Sequence, residues 1–488
     1  MKRLLSLILV IWVLLLCGKF LSCDSAEGDL LWDRAYGGSD WDEFRCVVQT
    51  PDGGYALAGM TQSYGAGLQD FWLVKTDANG DTLWTRTYGG PSYDKAYALI
   101  ATQDGGLLLL GNTQSYGAGS NDFWAVKTDT AGDTQWTRTY GGMYGGTTDD
   151  FGQDVVQTDD GGYALVGTTF LGAGDVFLIR TDANGNELWN RQYGGYFDER
   201  GYSIARTSDG GFLIVGETNS FSAGYSDAWM LKVNADGDSL WSQAFGGTEY
   251  EYGYWGAETA DGYVLAGATG SFGAGSVDAW MAKAGLQGDS LWAFTFGTGE
   301  IEYAYGATQT DDAFLLTGLF NETYEPGQVY LVKTDLDGNE LWTETYGDSL
   351  LDDLGFSIIQ NSDGDYIIAG RSSAPSADYE AYLMAVEGPG TGVKPLCESA
   401  PMNFALYPAH PNPFNAATAL SFQLPVASAI QLQVLDVSGR QVMSLINGWR
   451  NAGKHEVTFD AVDLSSGVYL VRLAAGDFML TQKVVLMK

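Results

Sequence analysis

A tryptophan recurs along this chain at steps of 50 to 53 residues, and no other feature constrains the fold as strongly. Each copy lies in a run such as "TLWTRTY", and a short Asp/Gly turn separates that run from a preceding one such as "DFWLVKTD". Runs rich in aromatic and β-branched residues on both sides of such a turn predict a β-hairpin. The recurring residues are Trp32, Trp84, Trp136, Trp189, Trp241, Trp292 and Trp342.

Two further strand-like runs lie between consecutive hairpins, for example "KAYALIATQ" and "GGLLLLGNTQ". Four short antiparallel strands in each unit of about fifty residues predict the blade of a β-propeller. One four-stranded sheet cannot bury both of its faces, whereas blades arranged around an axis bury them against one another. The sequence therefore predicts an all-β fold that begins with a seven-bladed β-propeller of four-stranded blades over residues 30–388.

The first and last strands of the repeat region each lack a hairpin partner. The region opens with "LLWDRAYGG", residues 30–38, and ends with "EAYLMAVE", residues 380–387. Closing the ring would leave only short sheet edges exposed. We therefore expect the N-terminal strand to form the outermost strand of the last blade.

Residues 1–22 predict a secretory signal peptide, because Lys2 and Arg3 precede the apolar run "LLSLILVIWVLLLC". That run is short for a membrane span, and no later segment predicts one, so we expect no transmembrane segment after signal removal. Cys23 is a candidate lipid-attachment site, although the residues before it fit that motif poorly. Cys46 and Cys397 either form a disulfide in an oxidising compartment or remain two thiols.

The repeats stop at a segment rich in Gly, Pro and small residues, which predicts a linker over residues 389–403. Beyond it, "ALSFQL", "IQLQVLD", "HEVTF", "GVYLVRL" and "QKVVLMK" indicate short strands separated by turns. This pattern is typical of a β-sandwich of immunoglobulin (Ig) type, which we predict over residues 404–488.

The tail also resembles a known family through "YPAHPNPFNAATALSFQLP", "LDVSGRQVMSL", "LSSGVYLVRL" and the closing "QKVVLMK". It is similar to the type A C-terminal sorting domain of the bacterial type IX secretion system, and to the Ig-like domain of flagellar hook-capping proteins. It departs from the family pattern at Ala416, where proline is common. The residues that the resemblance implies for sorting are Pro411, Asn412, Pro413, Gly439, Arg440, Gly467, Tyr469 and Lys483.

The resemblance implies export through the periplasm to the outer cell surface or the medium, with the type IX secretion machinery as a partner. In that family the tail is often removed as the cargo is anchored. A plain accessory Ig domain remains the alternative, since Gly439 suits a hairpin turn and Tyr469 suits a core position.

The formal net charge is −36, and the propeller carries all of this excess because the signal is basic and the tail is near neutral. Such a surface repels phosphate backbones, so nucleic acid is not expected as a partner. The charge agrees either with solubility outside the cell or with cation binding.

Histidine chemistry is not expected in the propeller. The chain has two histidines, His410 and His455, and both lie in the tail. This argues against His-activated nucleophiles and His-ligated zinc or copper in the propeller. Carboxylates are the remaining candidates.

One acidic position recurs at the predicted start of every innermost strand, where it should surround one mouth of the central channel. We call its seven members the acid ring. Such acids either link neighbouring blades or gather cations, so weak calcium binding stays open, and no cofactor is expected. They are Asp42, Asp94, Asp150, Glu199, Glu251, Glu302 and Asp353.

Two more positions repeat near the acid ring. Three residues after each acid stands a mostly aromatic set: Arg45, Tyr97, Gln153, Tyr202, Tyr254, Tyr305 and Phe356. A second acid opens the third strand, as at Asp70, with a base five residues later, as at Lys75; we interpret this pair as structural.

Exposed aromatics beside carboxylates suit sugar rings or cationic groups. The candidates expected on the same face are Trp41, Tyr64, Tyr93, Tyr116 and Tyr250.

Two functions remain open from the sequence. The regular acids favour a non-catalytic binding or scaffold module for a glycan, a surface protein or a cation, and we expect the chain to be a monomer. The alternative is a secreted polysaccharide hydrolase or lyase using propeller carboxylates, which in a hydrolase would be about 5–5.5 Å or 6.5–9.5 Å apart according to mechanism. The longer third-blade loop with Asp149 and Asp150 is the main break in the symmetry.

Overall fold

The computed structural model contains two compact units, a propeller and a tail. Described propeller residues are 27–118, 120–141, 148–170, 172–321, 326–347, 351–374 and 377–389; described tail residues are 405–407, 409, 411–424, 428–437, 439–450, 453–462, 464–475 and 478–488. The predicted signal peptide, Cys23, Cys397, His410 and all but one residue of the predicted linker lie outside these ranges. Across the ranges there is no α-helix, so none that could cross a membrane.

Seven four-stranded antiparallel sheets form the propeller, as predicted. Blade 1 contains β2 (Asp42–Gln49), β3 (Tyr55–Thr61), β4 (Asp70–Thr76) and β5 (Thr82–Tyr88). Blade 2 contains β6 (Asp94–Ala101), β7 (Leu107–Thr113), β8 (Asp122–Thr128) and β9 (Thr134–Tyr140). Blade 3 contains β10 (Asp150–Gln157), β11 (Tyr163–Thr169), β12 (Asp175–Thr181) and β13 (Glu187–Tyr193). Blade 4 contains β14 (Glu199–Arg206), β15 (Phe212–Thr218), β16 (Asp227–Val233) and β17 (Ser239–Phe245).

The last three blades follow the same plan. Blade 5 contains β18 (Glu251–Thr259), β19 (Gly262–Thr269), β20 (Asp278–Gly285) and β21 (Ser290–Phe296). Blade 6 contains β22 (Ile301–Gln309), β23 (Ala313–Asn321), β24 (Gln328–Asp335) and β25 (Glu340–Tyr346). Blade 7 contains β26 (Asp353–Gln360), β27 (Tyr366–Ala374), β28 (Ala377–Val386) and the N-terminal β1 (Leu30–Tyr36).

Hydrophobic side chains between neighbouring blades hold the ring together. Phe44 and Trp72 of blade 1 pack against Ile367 and Leu383 of blade 7. Equivalent clusters fill the other six contacts between adjacent blades. The second and third strands therefore read as nearly continuous apolar runs, because both of their faces are buried.

The N-terminal strand closes the ring as the sequence predicts, since β1 pairs antiparallel with β28 from Leu30–Val386 to Tyr36–Ala381. The chain ends even reproduce a hairpin turn. Gly28 N–H donates to Glu387 O at 2.9 Å, and Glu387 N–H donates to Asp29 O at 2.8 Å. In blade 1 the same two bonds occur within one continuous turn, from Gly80 to Asp77 and from Asp77 to Asp81.

Glycine is required at the matching position of both turns, because φ is 98° at Gly28 and 79° at Gly80. Tyr36 OH donates to Gly80 O of the neighbouring blade, and Tyr346 OH donates to Gly28 O at the same 2.5 Å distance. The two chain segments at Gly28 and Glu387 therefore form the outer turn of the last blade through hydrogen bonds alone, without a peptide connection between them.

The tail consists of two sheets that share one apolar core. One sheet contains β29 (Ala405–Leu406), β30 (Ala417–Leu424) and β33 (Gly453–Asp460). The other contains β31 (Ser428–Leu435), β32 (Gln441–Arg450), β34 (Gly467–Ala475) and β35 (Phe478–Leu486). Phe422 of the first sheet and Leu432 and Val471 of the second belong to one core cluster. The Ig-like assignment stays a prediction.

Candidate functional site

The first strand of each blade faces the axis, and these seven inner strands surround a central cavity of about 720 Å³. Each inner strand begins at the face that carries the loops between second and third strands, which we call the loop face. It ends at the opposite face, which carries the hairpin turns and which we call the turn face. The predicted site residues lie toward the loop face.

The acid ring lies at the loop-face ends of the inner strands, but its side chains are buried, with no member more than 3% exposed. Asp42 accepts hydrogen bonds from Gly38 N–H at 2.9 Å, from Ser63 Oγ at 2.7 Å and from Thr61 Oγ1. Glu199 accepts the equivalent bonds in blade 4 from Gly195, Thr218 and Ser220. These carboxylates connect the loop that enters a blade to the loop that follows its second strand.

No group of three or more His, Cys, Asp or Glu side chains within the described ranges could hold a metal ion. Because the ring acids are buried and hydrogen-bonded, the geometry favours the architectural interpretation over cation binding. Calcium binding by these acids stays a prediction.

Replacing Asp42 with Asn is expected to lower the free energy of unfolding by about 1.5–3 kcal/mol, the usual contribution of a hydrogen bond to a charged group. Asn would direct an amide donor at Gly38 N–H or Ser63 Oγ, which already donate to this site. Thermal melts should detect the loss, and Asp40→Asn on the exposed loop is the matched control. An unchanged melt, with calcium binding in the wild type that the variant loses, would identify Asp42 as a ligand instead.

The second repeated acid and base are structural in geometry. Asp70 accepts hydrogen bonds from Ala66 N–H at 2.8 Å and Gly67 N–H at 2.9 Å, so it fixes the loop that precedes its strand. The ammonium group of buried Lys75 lies 3.0 Å from Asp52 in the 1–2 turn of the same blade. The Thr50 hydroxyl and Lys75 together lower the pKa of Asp52 to about 2.

The five candidate aromatics do not form one cluster. Tyr64 and Tyr116 pack over the tryptophans of their own blades, with ring centroids 5.8 and 5.2 Å from Trp72 and Trp124. Tyr93 is an exposed loop residue. Trp41 and Tyr250 instead belong to two separate groups at the loop face, packed against Tyr379 and Tyr225 respectively.

The first group contains three basic residues, Arg45, Lys95 and Arg371, which we call the cationic cluster. They surround the buried carboxylate of Glu43, which lies 2.8 Å from Arg45 and 3.2 Å from Arg371. Burial acts to raise the pKa of Glu43, but Arg45, Lys95 and Arg371 outweigh it and hold that pKa below its ordinary value. Burial also lowers the pKa of Lys95, against the opposing effect of Glu43.

Aromatic rings surround the cationic cluster. Arg371 lies 4.3 Å from the ring centre of Tyr379 and 5.4 Å from that of Trp41. Lys95 lies 5.5 Å from the same Trp41 ring centre. These distances allow cation–π contacts that orient the charged groups.

The second group is a stack of four tyrosines, which we call the tyrosine column. Tyr225, Tyr250, Tyr252 and Tyr254 have successive ring-centre distances of 5.0, 6.5 and 5.6 Å, with planes within 9° of parallel. Three of them alternate along or just before β18, because side chains two residues apart share a strand face. The column runs from the exposed loop face into the channel.

The repeated set three residues after the acid ring forms an arc around the channel. Tyr202, Tyr254, Tyr305 and Phe356 contact in succession, with ring centres 5.4 to 5.6 Å apart. The Arg45 guanidinium continues the arc, at 3.9 Å from the centre of Phe356 and 5.9 Å from that of Tyr97. The arc therefore joins the tyrosine column to the cationic cluster.

Sequence reasoning missed the cationic cluster. One signal was visible, since Arg45 interrupts an otherwise mostly aromatic set. Arg371 lies on a second strand, and its approach to Glu43 of another blade follows only from ring closure. Cys46 is a free thiol beside the same channel.

Asp154 is a further channel residue that the sequence did not single out. It lines the cavity on β10 and accepts hydrogen bonds from Val155 N–H at 2.8 Å and Ile204 N–H at 2.9 Å. Burial outweighs these bonds and raises the pKa of Asp154 from its ordinary value near 3.8 to about 6.

Asp154 should make stability depend on pH. The pKa of Asp154 is higher in the folded state than in the unfolded state. Protonation of Asp154 therefore contributes fully to the free energy of unfolding below about pH 4, and this contribution is lost as the pH rises through about 6. The melting temperature of wild type minus that of Asp154→Asn should therefore fall over this range. Asp236→Asn, in an exposed turn, is the matched control, and a constant difference for Asp154→Asn would contradict the raised pKa.

Three of the implied sorting residues, Pro411, Asn412 and Lys483, lie on or close to the last strand of the tail. Asn412 donates through Nδ2 to Lys483 O at 3.1 Å and accepts from Val485 N–H at 2.8 Å. Thr418 Oγ1 donates to Pro411 O at 2.6 Å. These contacts connect the segment before β30 to β35.

The remaining sorting residues lie in turns and at strand ends. Gly439 has a φ of 83°, in the turn where Arg440 pairs with Asp436 at 3.1 Å. Gly467 begins β34, and Tyr469 OH donates to Ser465 O at 2.8 Å. Pro413 follows Asn412 in the segment before β30. The role of all these residues in sorting stays a prediction.

Residues 408–487 match the family model of the secretion system C-terminal sorting domain. No curated protein matches the chain. Similar solved structures include PorZ, an essential bacterial surface component of the type IX secretion system of Porphyromonas gingivalis, at 9% identity, 90% coverage of this chain, 69% of that chain and a TM-score of 0.36.

Two further similar structures are propellers or enzymes by name. The β-propeller domain of the trilobed protease from Pyrococcus furiosus is 10% identical, with 74% and 96% coverage and a TM-score of 0.41. Polysaccharide lyase Uly1 is 10% identical, with 76% and 94% coverage and a TM-score of 0.42. None of these three likenesses bears on function.

The family match confirms the sorting-domain resemblance of the tail. The chain is therefore exported by type IX secretion and is delivered to the cell surface or the medium.

Proposed function

We propose that the exported propeller is a non-catalytic binding module, and that its ligand, a glycan or a surface protein, binds at the loop-face mouth of the channel. The observation that supports this is a contrast in exposure. The repeated carboxylates are buried and hydrogen-bonded, whereas Arg45, Lys95, Tyr252 and Tyr303 are partly exposed around the channel. These accessible groups suit recognition of a ligand rather than attack on one.

A hydrolase needs two carboxyl groups that both reach the scissile bond. In the third-blade loop, Asp150 is buried, and Asp149 Oδ1 accepts from Asn121 Nδ2 at 2.9 Å. Both acids are therefore engaged within the protein.

Asp154 is the observation that favours the alternative, a polysaccharide hydrolase or lyase. A carboxyl group with a pKa near 6 on a channel wall is suited to general acid catalysis near neutral pH. Catalysis would need a second acid or base near Asp154. The carboxylate of Asp154 instead accepts hydrogen bonds from backbone N–H groups and from Ser203.

The test is a glycan array on the purified propeller, followed by product analysis for every glycan that binds. We expect binding without a change in the glycan. Release of shorter or unsaturated products that Asp154→Asn abolishes would establish the alternative. Asp236→Asn is the matched control, because that aspartate lies in an exposed turn away from the channel.

A further inference from the structure

Most basic residues of the propeller take part in contacts that repeat from blade to blade, whereas three of the others lie together at the loop face. Six occupy the same position of the third strand and each pairs with one acid, which is in the turn after the first strand of the same blade for five of them and is Glu27 for Lys333. They are Lys75, Lys127, Arg180, Lys232, Lys283 and Lys333. Four lie over tryptophans of the outer strands: Arg34, Arg86, Arg138 and Arg191. The other five basic residues in the described part of the propeller lie on inner strands or on a second strand next to one.

Two of those five have their own acidic partners. Arg206 pairs with Asp159, and Arg200 lies 3.4 Å from Glu217. The other three are the cationic cluster, and the only carboxylate within salt-bridge distance of it in the described ranges is Glu43. The cationic cluster therefore holds three bases around one paired carboxylate, that of Glu43.

The same place has hydrogen-bond donors without acceptors. Arg371 Nε and Trp41 Nε1 are buried and have no hydrogen-bond partner among the described residues. An unmade hydrogen bond of a buried donor costs free energy, more so for a charged group. Both donors belong to the cationic cluster or to the ring packed against it, so an anionic ligand is favoured at that cluster.

The charged groups suit a carboxylate in particular. Arginine offers a planar set of donors that matches the two oxygens of a carboxylate. Around the same ring of inner strands, Tyr252 of blade 5 and Tyr303 of blade 6 provide aromatic faces with hydroxyl groups, which suit the apolar faces and hydroxyl rims of pyranose rings. Tyr303 stacks on Tyr305 of the arc at 5.3 Å, so these faces and the cluster are continuous.

We propose that the loop-face mouth binds an acidic polysaccharide, with the cationic cluster contacting uronate carboxylates and Tyr252 and Tyr303 contacting the sugar rings. This rests on the proposed function and names its ligand class.

Calorimetric titration of the purified chain with oligogalacturonate tests the proposal. We expect wild type to bind, and Lys95→Gln and Arg371→Gln each to weaken binding about tenfold or more, the usual effect of losing a hydrogen bond to a charged group. Arg86→Gln with Arg138→Gln removes the same kind of charge from the outer strands and should leave binding unchanged. Lys95→Gln keeps the Glu43 ion pairs, and Arg371→Lys keeps the charge, so a folding defect is distinguishable from lost recognition.

Other ligands separate the possible failures. Tight binding of a neutral galacto-oligosaccharide, unaffected by Lys95→Gln, would overturn the acidic ligand and leave the binding function standing. Stronger binding of a sulfated oligosaccharide or a polyglutamate peptide than of oligogalacturonate would overturn the uronate assignment. Cleavage of oligogalacturonate would overturn the non-catalytic function while leaving the recognition site in place.

Discussion

Deletion of residues 27–38 is expected to open the propeller and make the protein aggregate. The deletion removes β1, which leaves the edge of β28 unpaired and exposes the cluster around Phe44 and Leu383. It also removes Glu27, which pairs with the buried Lys333 and accepts a hydrogen bond from Tyr366 OH at 2.7 Å. Leaving a buried charge without its partner costs about 3–5 kcal/mol on its own. Size-exclusion chromatography and thermal melts measure both effects.

A permuted chain provides the control for that deletion. Joining Glu387 to Glu27 through a single alanine would copy the five-residue turn from Asp77 to Asp81 and keep Glu27 and Gly28, with new ends opened in the exposed turn after Thr130. This chain should fold and melt at or above the wild-type temperature. A soluble deletion variant with unchanged melting would contradict the closure by β1.

Removal of residues 401–488 is expected to abolish surface delivery and to retain the propeller in the periplasm. The tail carries the sorting-domain match and has an apolar core of its own, while the other core clusters contain only propeller residues. The truncated chain should therefore keep the melting behaviour of the propeller. Cell fractionation and surface proteolysis measure the location.

The complementary control fuses residues 401–488 to an unrelated folded passenger, which should then reach the surface. Normal surface delivery of the truncated propeller would show that the address lies elsewhere in the chain. A truncated chain that unfolds would instead show that the propeller depends on the tail.

The propeller was predictable because each blade repeats the same local signals. Each blade has the recurring tryptophan, the Asp/Gly turns and nearly continuous apolar second and third strands. These signals depend only on one blade and the two blades packed against it. The closure by β1 followed from counting strands without partners.

The candidate site was less predictable, because it depends on which side chains meet across blades. The position of Asp42 at a strand start was correct, but the sequence could not show that Thr61 and Ser63 enclose its carboxylate. Arg371 reaches Glu43 only because the last blade packs against the first. The sequence signal that remained for this site was a residue that breaks the repeat, such as Arg45 in an otherwise mostly aromatic set.

Hydroxyl-radical footprinting of the wild-type chain, with and without oligogalacturonate, tests the proposed site most directly. It reports the exposure of individual side chains and needs no substitution. We expect protection of Trp41, Tyr252 and Tyr303, with Tyr64 and Tyr116 on the outer part of the loop face unchanged. Protection that appears instead on outer-strand residues, or measurable binding that leaves all three mouth residues fully reactive, would contradict a ligand site at the channel.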